Sequence, residues 1–167
     1  LGSRARTHAH SGPPRRGVQP MRLRPSPLSA LLHKELAMDI LIVSPRPALW
    51  EGLRPAFDEH GAALRLAPNM DEALAALRER KAALALLDLF GGEAWSDDKA
   101  ETLRKAVISI LMVDAMTNLA SSCGMGHDTF HSAMEGLGMI DDLPAQPTEG
   151  DVRALLSAHG VIAAQLG

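Results

Sequence analysis

From Met38 onward the chain alternates short apolar runs with stretches of helical period. Ile40-Leu41-Ile42-Val43 is a continuous run closed by Ser44-Pro45, the mark of a strand buried on both faces. Leu49, Leu53 and Phe57 recur at i, i+4 and i+8, which predicts a helix from Ala48 to His60. Pro55 is expected to kink it or open a short first turn, and Gly61 to end it. Ala62–Leu66 reads as a second strand. Asn69 is then the cap of a helix over Met70–Lys81, with Glu72 as the reciprocal partner and Leu74 and Leu77 facing inward.

Ala82–Leu89 reads as the third strand, Gly91-Gly92 as a loop, and Asp97–Lys105 as a short polar helix. The apolar run Val107–Val113 reads as the fourth strand, ending at Asp114. Gly124, Gly126 and Gly136 argue against one long helix over Met116–Gly138, so a helix capped by Asp128 and ending near Leu137 is expected. Leu143–Gln146 suits a short edge strand. Thr148 is placed to cap a final helix over Glu149–His159, stopped by Gly160.

Strands alternating with helices predict a parallel sheet covered on both faces, a three-layer α/β/α domain with right-handed crossovers. Five strands suggest the order 2-1-3-4-5. A site would then lie at the carboxyl ends of strands one, three and four, where the strand order reverses.

Charge divides the chain in two. Residues 1–37 hold seven basic side chains against Glu35 alone, whereas residues 38–167 carry a net charge of −9. An acidic domain repels phosphate backbones, so direct nucleic-acid binding by it is disfavoured. An aromatic content of 3% with no Tyr offers little for stacking on bases. The first 37 residues are rich in Arg, Pro, Gly and Ser and are expected to be a disordered basic leader. The patterned sequence begins at Met38, and Lys34-Glu35 can be encoded by a ribosome-binding sequence, so Met38 is the expected natural start. No run reaches the roughly 18 apolar residues of a membrane span. A single cysteine, Cys123, excludes an intrachain disulfide and points to a reducing, cytoplasmic compartment.

The strand ends carry a resemblance. Asp88 in Leu86-Leu87-Asp88-Leu89, the first strand Ile40–Val43, Pro47 soon after it, and Gln146-Pro147 after the fifth strand together resemble the response-regulator receiver family. The resemblance covers nearly all of residues 38–167. It implies a flavodoxin-like fold, a bacterial two-component or phosphorelay setting, and Asp88 at the phospho-acceptor position. It further implies a signalling module rather than an enzyme, with a sensor kinase or another regulator as partner, or a second copy as a homodimer. A chain stopping after the fifth helix would pass its signal through contacts, which the family makes on the face of helix four, strand five and helix five.

The departures from the family pattern are as informative. The family places two acidic residues after strand one to hold Mg²⁺ with the phospho-acceptor, and those positions read Ser44 and Pro45. Its hydroxyl at the end of strand four becomes Asp114, and its lysine becomes Gln146. Mg²⁺ wants several oxygen ligands with carboxylate charge, and phosphoryl transfer depends on charge neutralisation and positioning. Weak or absent phosphorylation of Asp88, in a degenerate pseudo-receiver, is therefore the expectation. The alternative keeps phosphorylation, with Asp114 contributing to a rearranged metal site.

One further constellation lies outside that pattern. Cys123, His127 and His131 at i, i+4 and i+8 would share a face of a continuous helix, and with Met125, Met134 and Met139 nearby such ligands suit Zn²⁺ or Cu⁺. A metal- or redox-sensing module is thus a second function class, and a Cys123–histidine nucleophile pair a variant of it. The glycines at 124 and 126 oppose the shared face, and Met commonly fills core gaps. A small-molecule-binding or enzymatic domain of the same fold is the third class, disfavoured because no phosphate-binding glycine motif follows a strand.

Overall fold

The computed structural model describes residues 38–166, with side chains as far as Gly160. The basic segment 1–37, the expected leader, lies outside the described residues. Strands β1 (Met38–Val43), β2 (Ala62–Ala67), β3 (Leu84–Leu87), β4 (Asn118–Ser122) and β5 (Asp142–Leu143) form one sheet in the order β2-β1-β3-β4-β5. Each adjacent pair is parallel, as the alternating pattern predicts. The helices are α1 (Pro47–Gly52), α2 (Arg54–Asp58), α3 (Met70–Glu79), α4 (Ala100–Val113), α5 (His127–Ala133) and α6 (Glu149–Leu166), with a 3₁₀ turn at Asp97–Lys99 before α4.

Strand alternation divides the core into two layers. Ile40, Ile42, Leu84 and Leu86 point to one face and pack with Trp50, Phe57, Val152 and Leu155 from α1, α2 and α6. Leu41, Val43, Ala85 and Leu87 point to the other and meet Leu77, Leu103, Ile110 and Phe130 from α3, α4 and α5. Both faces are covered, which is why β1 and β3 read as unbroken apolar runs.

Several local expectations hold. The side chain of Asn69 accepts from the backbone N–H of Glu72 at 2.9 Å and starts α3. Gly61 takes a left-handed backbone (φ 67°) just beyond α2. Pro55 sits in the first turn of α2, and the helix expected from Ala48 to His60 is two short helices meeting at Leu53.

The main correction concerns the fourth strand. Val107–Val113 is the second half of α4, and β4 is Asn118–Ser122. An unbroken apolar run carries no period. The parallel step from β3 to β4 needs a long crossover, and a helix supplies it. Within α4, Leu103, Ala106, Val107 and Ile110 are buried at helical spacing, while Ile108 and Met112 face solvent. The strand itself, Asn-Leu-Ala-Ser-Ser, hides among small and polar residues. Three smaller corrections follow. The fifth strand, expected over Leu143–Gln146, is Asp142–Leu143, and Gln146 lies in the loop beyond it. Helix α5 starts at His127 after Gly126 rather than at a cap on Asp128 and ends at Ala133, and α6 runs through Gly160 instead of stopping there.

Candidate functional site

Val43 and Leu87 are register partners, so Ser44 and Asp88 leave the sheet side by side at its carboxyl edge. The backbone holds both: the N–H of Asp88 donates to Val43 at 2.8 Å, and that of Ser44 to Ala67 at 2.9 Å. Side chains then converge on the Asp88 carboxylate, which is fully buried. Ser44 Oγ donates to Oδ2 at 2.7 Å, and Trp50 Nε1 donates to the same oxygen at 2.9 Å. Arg46 closes the remaining side, with Nε on Oδ2 at 2.7 Å and Nη2 on Oδ1 at 3.1 Å. Ser44 Oγ also accepts from the backbone N–H of Arg46 at 3.0 Å, fixing the turn that aims the guanidinium.

Arg46 also reaches the loop between β5 and α6. Its Nη2 donates to the carbonyl of Ala145, and its Nη1 to Oε1 of Gln146 at 3.1 Å. Gln146 is thus joined to Asp88 through Arg46. Pro45 lies at the mouth of a cleft of about 240 Å³ beside Asp88, which Ser44, Asn69, Phe90 and Thr102 also line. Gly92 covers the guanidinium from outside. A Cβ on Gly92 would overlap Nη1 of Arg46 and Nε2 of Gln146.

The structure therefore brings Ser44, Pro45, Asp88 and Gln146 together, and it removes Asp114. That residue follows the last turn of α4, which runs opposite to the strands, and it precedes β4 at the sheet's amino edge. Its Oδ1 accepts from the N–H of Met116 at 2.9 Å, a local turn. The mistaken strand carried Asp114 to the wrong rim, and a rearranged metal site using it loses its geometric basis. The hydroxyls at the true end of β4 are Ser121, donating to Asp142 at 2.7 Å, and Ser122, donating to the carbonyl of Pro144 at 2.8 Å.

Cys123, His127 and His131 do not share a face. Cys123 is buried in the core at the end of β4, whereas His127 and His131 are exposed one turn apart on α5, rings edge to face at 4.4 Å. Gly124 (φ 65°) and Gly126 (φ 81°) break the chain between them. Among the described residues no three His, Cys, Asp or Glu side chains form a group suited to a metal ion. Burial, followed by the charges of Asp142 and Asp88, pushes the Cys123 thiol up to about 12. A thiol so poorly ionised is inert as a nucleophile near neutrality.

Three participants escaped the sequence reading. Arg46 lies three residues beyond β1, a cation gained next to the positions where the family's carboxylates are missing. Trp50 is a buried indole, whose N–H usually needs a partner. Asp142 accepts from Ser121 Oγ and from the N–H groups of Cys123 and Met125 at 2.7–2.8 Å, and so pins the loop after β4. An Asp opening a two-residue strand gave no local signal of this.

No family model matches the sequence, and no curated protein matches it at a significant level. Solved structures do match. A response regulator from Thermotoga maritima aligns with TM-score 0.59 and 17% identity over 73% of this chain and 99% of that one. A CheY-like receiver domain protein from Methanospirillum hungatei JF-1 aligns with TM-score 0.59 and 17% identity over 78% and 99%. A two-component response regulator from Clostridium difficile aligns with TM-score 0.58 and 20% identity over 74% and 96%. Strand order, crossovers and these alignments agree that the chain has the fold of response-regulator receiver domains.

Proposed function

We propose that this chain is a receiver-fold signalling module that works through protein contacts, with phosphorylation of Asp88 weak or absent. The observation that carries the reading is the state of Asp88. Its carboxylate is buried, and both oxygens are taken by donors of the chain itself. An attacking carboxylate must be accessible and its transferring phosphoryl group neutralised. Here the approach is filled by a guanidinium, an indole and a hydroxyl.

The same donor set does not suit Mg²⁺. The ion needs several oxygen ligands in octahedral array, with carboxylate charge among them. Of the groups touching Asp88, only the Ser44 hydroxyl has an oxygen to offer, and it already donates to Asp88 and accepts from Arg46.

The partner class that fits a receiver-fold surface is another signalling protein, a sensor kinase or regulator, with self-association as the other assembly. No helix among the described residues is long and apolar enough to cross a membrane.

Incubation with acetyl phosphate and Mg²⁺ tests the reading. The expected result is no phosphoryl-sized gain in mass and an unchanged tryptophan spectrum. Stoichiometric phosphorylation mapped to Asp88 would overturn it.

A further inference from the structure

We propose that Arg46 is a tethered cation standing where a divalent metal ion would bind on Asp88, and that its guanidinium couples the end of β3 to the loop leading into α6. The inference rests on reading Asp88 as a closed carboxylate and adds what closes it and what the closure transmits.

A buried carboxylate needs a countercharge. Arg46 supplies it with a two-point contact, Nε and Nη2 on the two oxygens at 2.7 and 3.1 Å, the geometry in which arginine binds carboxylates most strongly. Its side chain is 18% exposed and that of Asp88 0%, so water screens the pair little. One carboxylate and one guanidinium balance. A divalent ion on the same oxygens would face the guanidinium as a like charge and would have to displace it.

The residue type matters because the remaining donors are also used. Nη1 and Nη2 reach Gln146 and Ala145, so one planar group joins the turn after β1, the end of β3 and the loop before α6. A lysine ammonium lacks the fork needed for all three. Ser44 fits the same scheme, since a hydroxyl can donate to Asp88 where a second carboxylate would repel it. Gly92, held at φ 88°, has no side chain to obstruct the guanidinium.

The test compares thermal melting with and without MnCl₂ for the whole chain, Arg46→Met, Arg46→Ala and the double variant Arg46→Met/Asp88→Asn. Arginine removal frees both oxygens of Asp88, the carbonyl of Ala145 and Oε1 of Gln146 from the guanidinium, and these oxygens are expected to create a cation site that the wild type lacks. Millimolar Mn²⁺ should then raise the melting temperature of both single variants by roughly 5 °C or more, as a ligand well above its dissociation constant does for a domain of this size. The wild type and the double variant should shift by about 1 °C or less, below what specific binding yields. If a single variant is unfolded without metal, Mn²⁺ should restore its fold.

Equal stabilisation of wild type and single variants would overturn the proposal. So would single variants, folded or unfolded, that ignore Mn²⁺. For the coupling, amide exchange across residues 144–148 should accelerate in Arg46→Met relative to wild type, and unchanged exchange there would refute it. No phosphodonor enters these measurements, so phosphorylation of the wild type would count against the proposed function without deciding the metal result.

Discussion

Nε1 of Trp50 donates to Oδ2 of Asp88 at 2.9 Å, from an indole that is itself fully buried. Asp88 is thereby part of the core on the α1 side as well as of the rim. Asp88→Asn should consequently act on stability before it acts on signalling. It removes the charge that Arg46 neutralises, and one-sided loss of a buried pair costs about 3–5 kcal/mol. An amide that still accepts one bond should bring the loss to the lower end. Urea unfolding followed by tryptophan fluorescence measures it, and a loss below about 1 kcal/mol, the level of an exposed ion pair, would contradict the geometry.

Gly92→Ala should loosen the same cluster without removing a charge. The new methyl meets Arg46 and Gln146, and the positive φ disfavours any side chain. A destabilisation of about 1–3 kcal/mol is expected. Exposed Gly52 has nothing within 4 Å of an added Cβ and no positive φ, so Gly52→Ala is the control and should be neutral or slightly stabilising.

Cys123 should resist alkylation in the native protein. With its thiol pushed up to about 12 and its side chain in the core, the thiolate fraction at pH 8 is minute. Iodoacetamide followed by mass spectrometry should show labelling only once urea unfolds the domain. Rapid native labelling would mean the loop after β4 opens readily.

The final helix introduces a pH dependence. His159 is buried, with the side-chain amide of Asn118 3.1 Å from its Nε2. Burial lowers the histidine below its ordinary value. Between the folded and unfolded values the unfolded chain binds more protons, so stability rises with pH there. The contribution is complete above about pH 6.5, the unfolded value, and is lost as pH falls through the folded one. The urea midpoint of the wild type should therefore drop more than that of His159→Gln between pH 7.5 and pH 5. Parallel drops would refute the assignment.

Substitutions in α4 separate helix from strand directly. Ile110 is fully buried and Met112 is 83% exposed. Ile110→Ala should cost about 2–4 kcal/mol, and Met112→Lys should stay within about 0.5 kcal/mol. A buried fourth strand over the same residues would make both substitutions costly.

The difference between Val107–Val113 and Ile40–Val43 shows where reading by pattern stops. Both are unbroken apolar runs. The first is a helix because it must bridge two parallel strands, and neighbouring residues do not announce that requirement. The displacement of β4 by about ten residues sent Asp114 to the wrong rim, whereas Ser44 and Asp88 meet as expected because β1 and β3 lie where the pattern puts them, and Gln146 reaches the rim from the loop after β5 rather than from a strand. Cys123 and the two histidines parted for a local reason, since two left-handed glycines break the helix that would have aligned them.

What the sequence by itself determined is the alternation of buried strands and amphipathic helices, hence a parallel five-stranded sheet and the meeting of Ser44 with Asp88 at its edge. These follow from periodicity and from the few ways such elements pack. Only the tertiary structure decided who neutralises Asp88. Arg46 and Asp88 are 42 residues apart, and which cation reaches a buried carboxylate depends on the turn after β1, the approach of the loop before α6 and the space left by Gly92. Those are properties of the assembled rim rather than of any one segment.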